Sequence, residues 1–155
     1  MIFKFIILIG VEALLEKFAN FLFRKGLRLT EQRQLIARAF FNRAGHISAE
    51  ELYDEIKQET PSIGFATVYR TLKLLVEAGQ AALSNFGDGY TRFETTADKK
   101  HHDHLICQEC GKIVEFANDH IETLQEKVAT EHGFLVRDHT LDIYGICRTC
   151  QGQST

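Results

Sequence analysis

Phe65-Ala-Thr-Val-Tyr-Arg-Thr-Leu-Lys-Leu-Leu-Val-Glu-Ala-Gly79, then Gln80-Ala-Ala-Leu-Ser-Asn-Phe86, Gly87-Asp-Gly89 and Tyr90-Thr-Arg-Phe-Glu-Thr95, decides the fold. Phe65, Val68, Leu72, Leu75 and Val76 share one side at helical spacing, which predicts an amphipathic helix over 65–78 that Gly79 stops. The two short segments around the glycine turn predict a β-hairpin. Upstream, Leu14, Leu15, Phe18, Phe21 and Leu22 recur at helical spacing until Gly26. Thr30 can cap a second helix carrying Leu35, Ile36, Ala39 and Phe40, closed near Gly45. Ser48-Ala-Glu-Glu51 is a capping box ahead of Leu52, Tyr53 and Ile56, and Thr60-Pro61-Ser62-Ile-Gly64 breaks the chain before the fourth helix. Helices followed by a glycine-turned hairpin predict a winged helix-turn-helix over residues 1–95.

The fourth helix has a second face. Thr67, Arg70 and Lys73 lie away from the apolar side and Tyr69 lies at its edge. A guanidinium suits guanine edges or phosphate, and an aromatic ring suits thymine methyls, so this face fits a major groove. An ordinary solvated helix face has the same composition, and charge is what separates the two readings. The 155-residue chain carries a formal net charge of −3, which taken whole argues against nucleic acid. The distribution reverses that argument. Residues 1–45 hold eight basic and three acidic side chains, a local +5, while 46–97 and 98–155 each carry −4. A basic first segment beside the helix favours DNA, because phosphate contacts supply most of the affinity.

Composition also excludes classes. A length of 155 residues is too short for an (α/β)₈ barrel, which needs about 250 residues. With 45% apolar and 25% charged residues the chain reads as folded and soluble. Residues 1–10 are apolar apart from Lys4 and Gly10, too few to span a bilayer and lacking a small-x-small cleavage site. They read as an apolar leader to the first helix, or as an extension ahead of a start at Val11. The expected location is the cytoplasm, with no membrane partner.

Beyond the polar stretch Thr96-Ala-Asp-Lys-Lys100, read as a hinge, the composition shifts. Six of seven His and all four Cys lie in residues 101–155. The pattern predicts strands at 104–107 and 112–116, a helix over about 118–132 with Ile121, Leu124, Val128 and Ala129 on one face, and a strand over 134–144. The fold class is therefore α+β, a winged helix followed by a small α/β domain. Such a domain has exposed edges and a thin core, for which metal and a partner subunit are the usual remedies. A homodimer is expected.

Cys107-x-x-Cys110 and Cys147-x-x-Cys150 can close a tetrahedral thiolate cage around structural Zn²⁺, with Gly111 allowing the tight turn. The 36 residues between the knuckles exceed ordinary ribbon spacing, so the second knuckle must return from a distance. A redox dithiol or two disulfides are the competing readings. In His101-His-Asp-His104 an extended backbone sends His101 and Asp103 one way and His102 and His104 the other. One short run can thus feed two metal sites, with Glu115, Glu122, His139, His46 and Glu94 as candidate partners. Mixed imidazole and carboxylate donors suit Fe²⁺, Mn²⁺, Zn²⁺ or Co²⁺. A polar surface cluster is the bland alternative, and His120 and His132 are read as surface residues.

Thr67-Val-Tyr-Arg70, His101-His-Asp-His-Leu-Ile-Cys-x-x-Cys-Gly111 and Cys147-x-x-Cys150 resemble the ferric uptake regulator family of bacterial metal-dependent repressors, as do Gly26-Leu-Arg-Leu-Thr30, His46-Ile-Ser-Ala-Glu50 and Leu141-Asp-Ile-Tyr-Gly145. The resemblance implies a homodimer that binds a double-stranded inverted-repeat operator when loaded with metal. It assigns Cys107, Cys110, Cys147 and Cys150 to structural zinc. It assigns His46, Glu94, His102, His104 and Glu115 to a regulatory site bridging the two domains, and His101, Asp103, Glu122 and His139 to a further site. It places DNA contacts at Arg28, Thr67, Tyr69 and Arg70. Within the family, Glu94 and Glu115 stand where the peroxide-sensing branch has Asp, and all four Cys are already used in the knuckles. Both features favour Fe²⁺ sensing over peroxide or zinc sensing, with manganese and nickel as alternatives. From other classes, a small metal-dependent hydrolase or a zinc-storage module competes. Hydrolase folds with a His-x-Asp-His run need longer chains and a general base, so no enzyme and no small-molecule substrate is expected.

Overall fold

The computed structural model describes residues 2–87, 89–97 and 101–152, with residues 2–9 described by their backbone. Asp88 of the expected turn and residues 98–100 of the expected hinge lie outside the described residues. The chain divides into two compact units, Met1–Lys99 and Lys100–Thr155.

The first unit contains α1 (Ile2–Arg24), α2 (Glu31–Phe41), β1 (Ile47–Ser48), α3 (Ala49–Glu59), α4 (Phe65–Glu77), β2 (Ala81–Asn85) and β3 (Thr91–Thr95). The caps act where the sequence places them. Thr30 accepts from the Arg33 N–H, and Ser48 and Glu51 make the reciprocal capping box. Helix α1 lays Val11, Leu15, Phe18 and Leu22 into a core shared with Ile36, Phe40, Leu52, Val68, Leu72, Leu75 and Phe93. Burying one such side chain fully stabilises by about 1.5–3 kcal/mol. Ion pairs fasten the helices at the surface: Glu12 with Arg38 at 2.6 Å, Lys25 with Glu77, and Arg43 with Glu55. Arg38 also holds the Glu12 carboxyl below its usual range.

Helix α4 ends where Gly79 takes φ +69° and the Gln80 N–H reaches the Leu75 carbonyl. That left-handed residue turns the chain straight into the wing. Strands β2 and β3 pair antiparallel, with Leu83 opposite Phe93, and β1 adds to β3 through Ile47 opposite Phe93. The two-residue β1 carries no sequence signal, and α2 ends four residues before Gly45. Thr96 bonds back to Gly79 and Gln80, holding the start of the expected hinge against the first unit.

The second unit contains β4 (Asp103–Cys107), β5 (Ile113–Phe116), α5 (Asp119–Glu131), β6 (Asp142–Gly145) and α6 (Arg148–Gln151). Its sheet runs β5-β4-β6, antiparallel on one side and parallel on the other. The strand expected over 134–144 is corrected: only 142–145 is strand, because residues 134–140 pair with no strand of this chain. Phe134 and Leu135 are 73% and 87% exposed, and no residue of α5 is buried. Among the described residues no helix is long and apolar enough to cross a membrane.

Candidate metal centres and nucleic-acid interface

Cys107 ends β4 and its N–H and C=O bond Lys112 and Gly111 across the first knuckle. Gly111 takes φ +70°, a conformation that a side chain would strain. Cys147 is the N-cap of α6 and Cys150 follows three residues later in its one turn, so both sulfurs fall on one side. The Cys147 N–H donates to Cys107 Sγ at 3.3 Å, and Cys110 Sγ stands 3.8 Å from Cys147 Sγ. None of the four is in a disulfide, and the four sulfurs lie within 4.8 Å of one another. Two sulfurs on a tetrahedral zinc, each at about 2.3 Å, stand about 3.8 Å apart, so the cage fits the ion. Backbone N–H groups of Cys110 and Cys147 bring the Cys107 thiol down to about 6. The Cys150 backbone N–H lowers Cys147. The neighbouring sulfurs, Cys147 first, push Cys150 up to about 12. Crowded sulfurs resist losing every proton without a cation among them.

His101, Asp103, Glu122 and His139 form a second cluster. His101 Nε2 is 3.3 Å from Asp103 and 3.5 Å from Glu122, and His139 Nε2 is 3.0 Å from Glu122. Asp103 is wholly buried, and neither of its carboxylate oxygens has a hydrogen bond among the described residues. A carboxylate buried without donors is strongly unfavourable, whereas a divalent cation held with two imidazoles would compensate it. The donor set therefore fits a metal.

The remaining predicted ligands are placed within each unit. In the first, His46 Nε2 lies 3.7 Å from Glu94 on β3, and the His46 ring stands edge-on to Phe86. In the second, His102 Nε2 lies 4.0 Å from Glu115, which the ladder sets opposite His104. The His102 and His104 rings meet edge-on at 5.0 Å. His104 Nδ1 lies 3.0 Å from Asp142 Oδ1 on β6. Sequence reasoning gave Asp142 no role, since the partnership depends on a parallel pairing 38 residues apart.

On α4, Arg70 is exposed, Thr67 is half-buried and Tyr69 is 43% exposed. Phe65, expected among the buried side, is 39% exposed; its ring stacks on Tyr69 at 6.3 Å and meets Tyr53 edge-on. It packs between the Tyr53 and Tyr69 rings instead of filling the core. Arg28 is exposed just before α2, and its carbonyl accepts from Arg33 Nη1 at 2.6 Å. Lys25, Arg38 and Arg43 are engaged in ion pairs, so less charge remains for phosphate than the +5 implies.

The sequence profile described as the ferric uptake regulator family matches residues 24–144. The chain belongs to the ferric uptake regulator family. It is 44% identical over 144 residues to the ferric uptake regulation protein of Campylobacter jejuni, covering 92% of this chain and 91% of that one. Its structure resembles that of the Helicobacter pylori ferric uptake regulator, described as having three functional metal binding sites. There the TM-score is 0.86 at 30% identity, with 94% of this chain and 96% of that chain covered. A zinc-bound manganese uptake regulator is similar at a TM-score of 0.69 and 42% identity, over 84% and 98% of the two chains. At these similarities the fold class is the expected α+β one, a winged helix followed by a small α/β domain.

Proposed function

We propose that this protein is an Fe²⁺-sensing repressor of iron-homeostasis genes, acting in the cytoplasm as a homodimer on an inverted-repeat operator. As a member of the ferric uptake regulator family it is a metal-responsive DNA-binding transcriptional regulator. The observation that carries the metal reading is β4, whose successive residues face different neighbours: Asp103 joins His101, Glu122 and His139, while His104 meets the His102 ring and stands across the ladder from Glu115. In this reading Cys107, Cys110, Cys147 and Cys150 hold structural zinc. His101, Asp103, Glu122 and His139 take a second ion.

The regulatory ion takes His46 and Glu94 from the first unit and His102, His104 and Glu115 from the second. An ion with ligands in both units binds more tightly when they are docked, and so shifts the population towards one geometry. Moving a mostly incompetent ensemble to a mostly competent one takes about 5 kcal/mol of differential affinity. Arg28, Thr67, Tyr69 and Arg70 then contact DNA. No residue is assigned a catalytic role. Residues 1–95 serve DNA binding, 96–100 act as hinge and 101–155 carry dimerisation and metal.

Manganese is the second reading, favoured by the 42% identity to a manganese uptake regulator. Anaerobic operator binding titrated with Fe²⁺, Mn²⁺, Zn²⁺ and Ni²⁺ separates these readings. Activation by Fe²⁺ at the lowest free concentration supports the proposal, and selective activation by Mn²⁺ replaces it.

A further inference from the structure

We infer that Asp142 is a positioning residue that fixes the tautomer and ring orientation of His104 and so presents His104 Nε2 to the regulatory metal. The inference rests on the assignment of His104 as a regulatory ligand and adds a residue outside every donor set above. Asp142 opens β6, and the parallel ladder sets it directly opposite His104 on β4. The His104 N–H donates to the Leu141 carbonyl at 3.0 Å, which locks the two strands in that register. Their side chains then meet through Nδ1 and Oδ1 at 3.0 Å. His104 is buried, while the Asp142 side chain keeps partial access to water.

A carboxylate only accepts hydrogen bonds, so this contact requires the proton of a neutral imidazole to sit on Nδ1. The lone pair is thereby left on Nε2, at the far side of the ring, as a metal ligand needs. Carboxylate partners of this kind orient ligating imidazoles and raise their basicity, and removing one typically costs about 10–100-fold in metal affinity. The placement has a second consequence. Asp142 lies at the start of the sheet's edge strand, so a change in that edge reaches the ligand through one hydrogen bond.

The test uses the zinc-loaded full chain in a His139→Ala background, which removes a donor of the other cluster. With ¹⁵N-labelled histidine, long-range proton–nitrogen spectra of the protein before Mn²⁺ addition should show His104 as the Nδ1–H tautomer. Asp142→Ala should lose that signature and bind Mn²⁺ about 10–100-fold more weakly. Asp142→Asn, which keeps a neutral acceptor, should recover part of both. Retained zinc content and melting temperature keep the comparison within folded protein. An Nε2–H tautomer in the parent, or Asp142→Ala affinity within about twofold of it, overturns the inference. His104→Ala separates the levels: if it binds Mn²⁺ normally, the ligand assignment itself is wrong, and if it alone loses binding, only the role of Asp142 falls.

Discussion

Cys107 and Cys150 are displaced in opposite directions within the sulfur cluster, to about 6 and about 12. Near neutrality Cys107 already offers a thiolate, while Cys150 must surrender its proton to the metal. Zinc binding should therefore release protons, and should release more as the pH falls through about 6, where Cys107 becomes a thiol. The sign follows from a lowered pKa: the anion is present above that value and lost below it. Calorimetry in buffers of different ionisation enthalpy measures the count, and release independent of pH between about 5 and 7 would contradict the assignment. Which side chains cluster was largely legible in the sequence, because the knuckles and the His101–His104 run declare themselves by local spacing. Asp142 was not, because its partnership with His104 comes from strand pairing. Nor was the orphaned burial of Asp103, which depends on what packs around it.

At the level of elements, the winged helix was readable from caps and glycines, since each acts within a few residues of its own position. Ser48 illustrates the energetics. It caps α3, accepts from Glu51 and is buried between helix and wing. Ser48→Ala should destabilise by about 1 kcal/mol, read as a lower urea midpoint at unchanged slope. Unchanged stability would mean that water or another group replaces the cap. The apolar run Phe134–Val136 reads as strand by composition, yet the chain alone gives it no ladder. Likewise Phe65 belongs to the apolar side by angle but lies at its margin, where the Tyr69 ring claims it. Periodicity locates a face and cannot say what covers it.

For the whole molecule, the question is what covers the second unit. Leu124 and Val128 of α5 are 61% and 55% exposed, and Phe134 and Leu135 follow them along the chain. Apolar exposure of this extent is what a second copy would bury. Leu124→Glu should convert the dimer to monomer in light scattering after size exclusion, with zinc still bound; an intact dimer would place the interface elsewhere. Charge also has to be read at this scale, for the formal −3 averages a basic first segment over an acidic remainder that offers carboxylates to metal. The central claim is that metal held by His104 and Glu115 controls DNA binding. Its most direct test is anaerobic operator binding, with and without Fe²⁺, in the parent, His104→Ala and Glu115→Ala proteins. The expected result is Fe²⁺-dependent binding in the parent and a weakened metal response in both variants, which remain dimeric and zinc-loaded; an undiminished Fe²⁺ response in both would contradict the account.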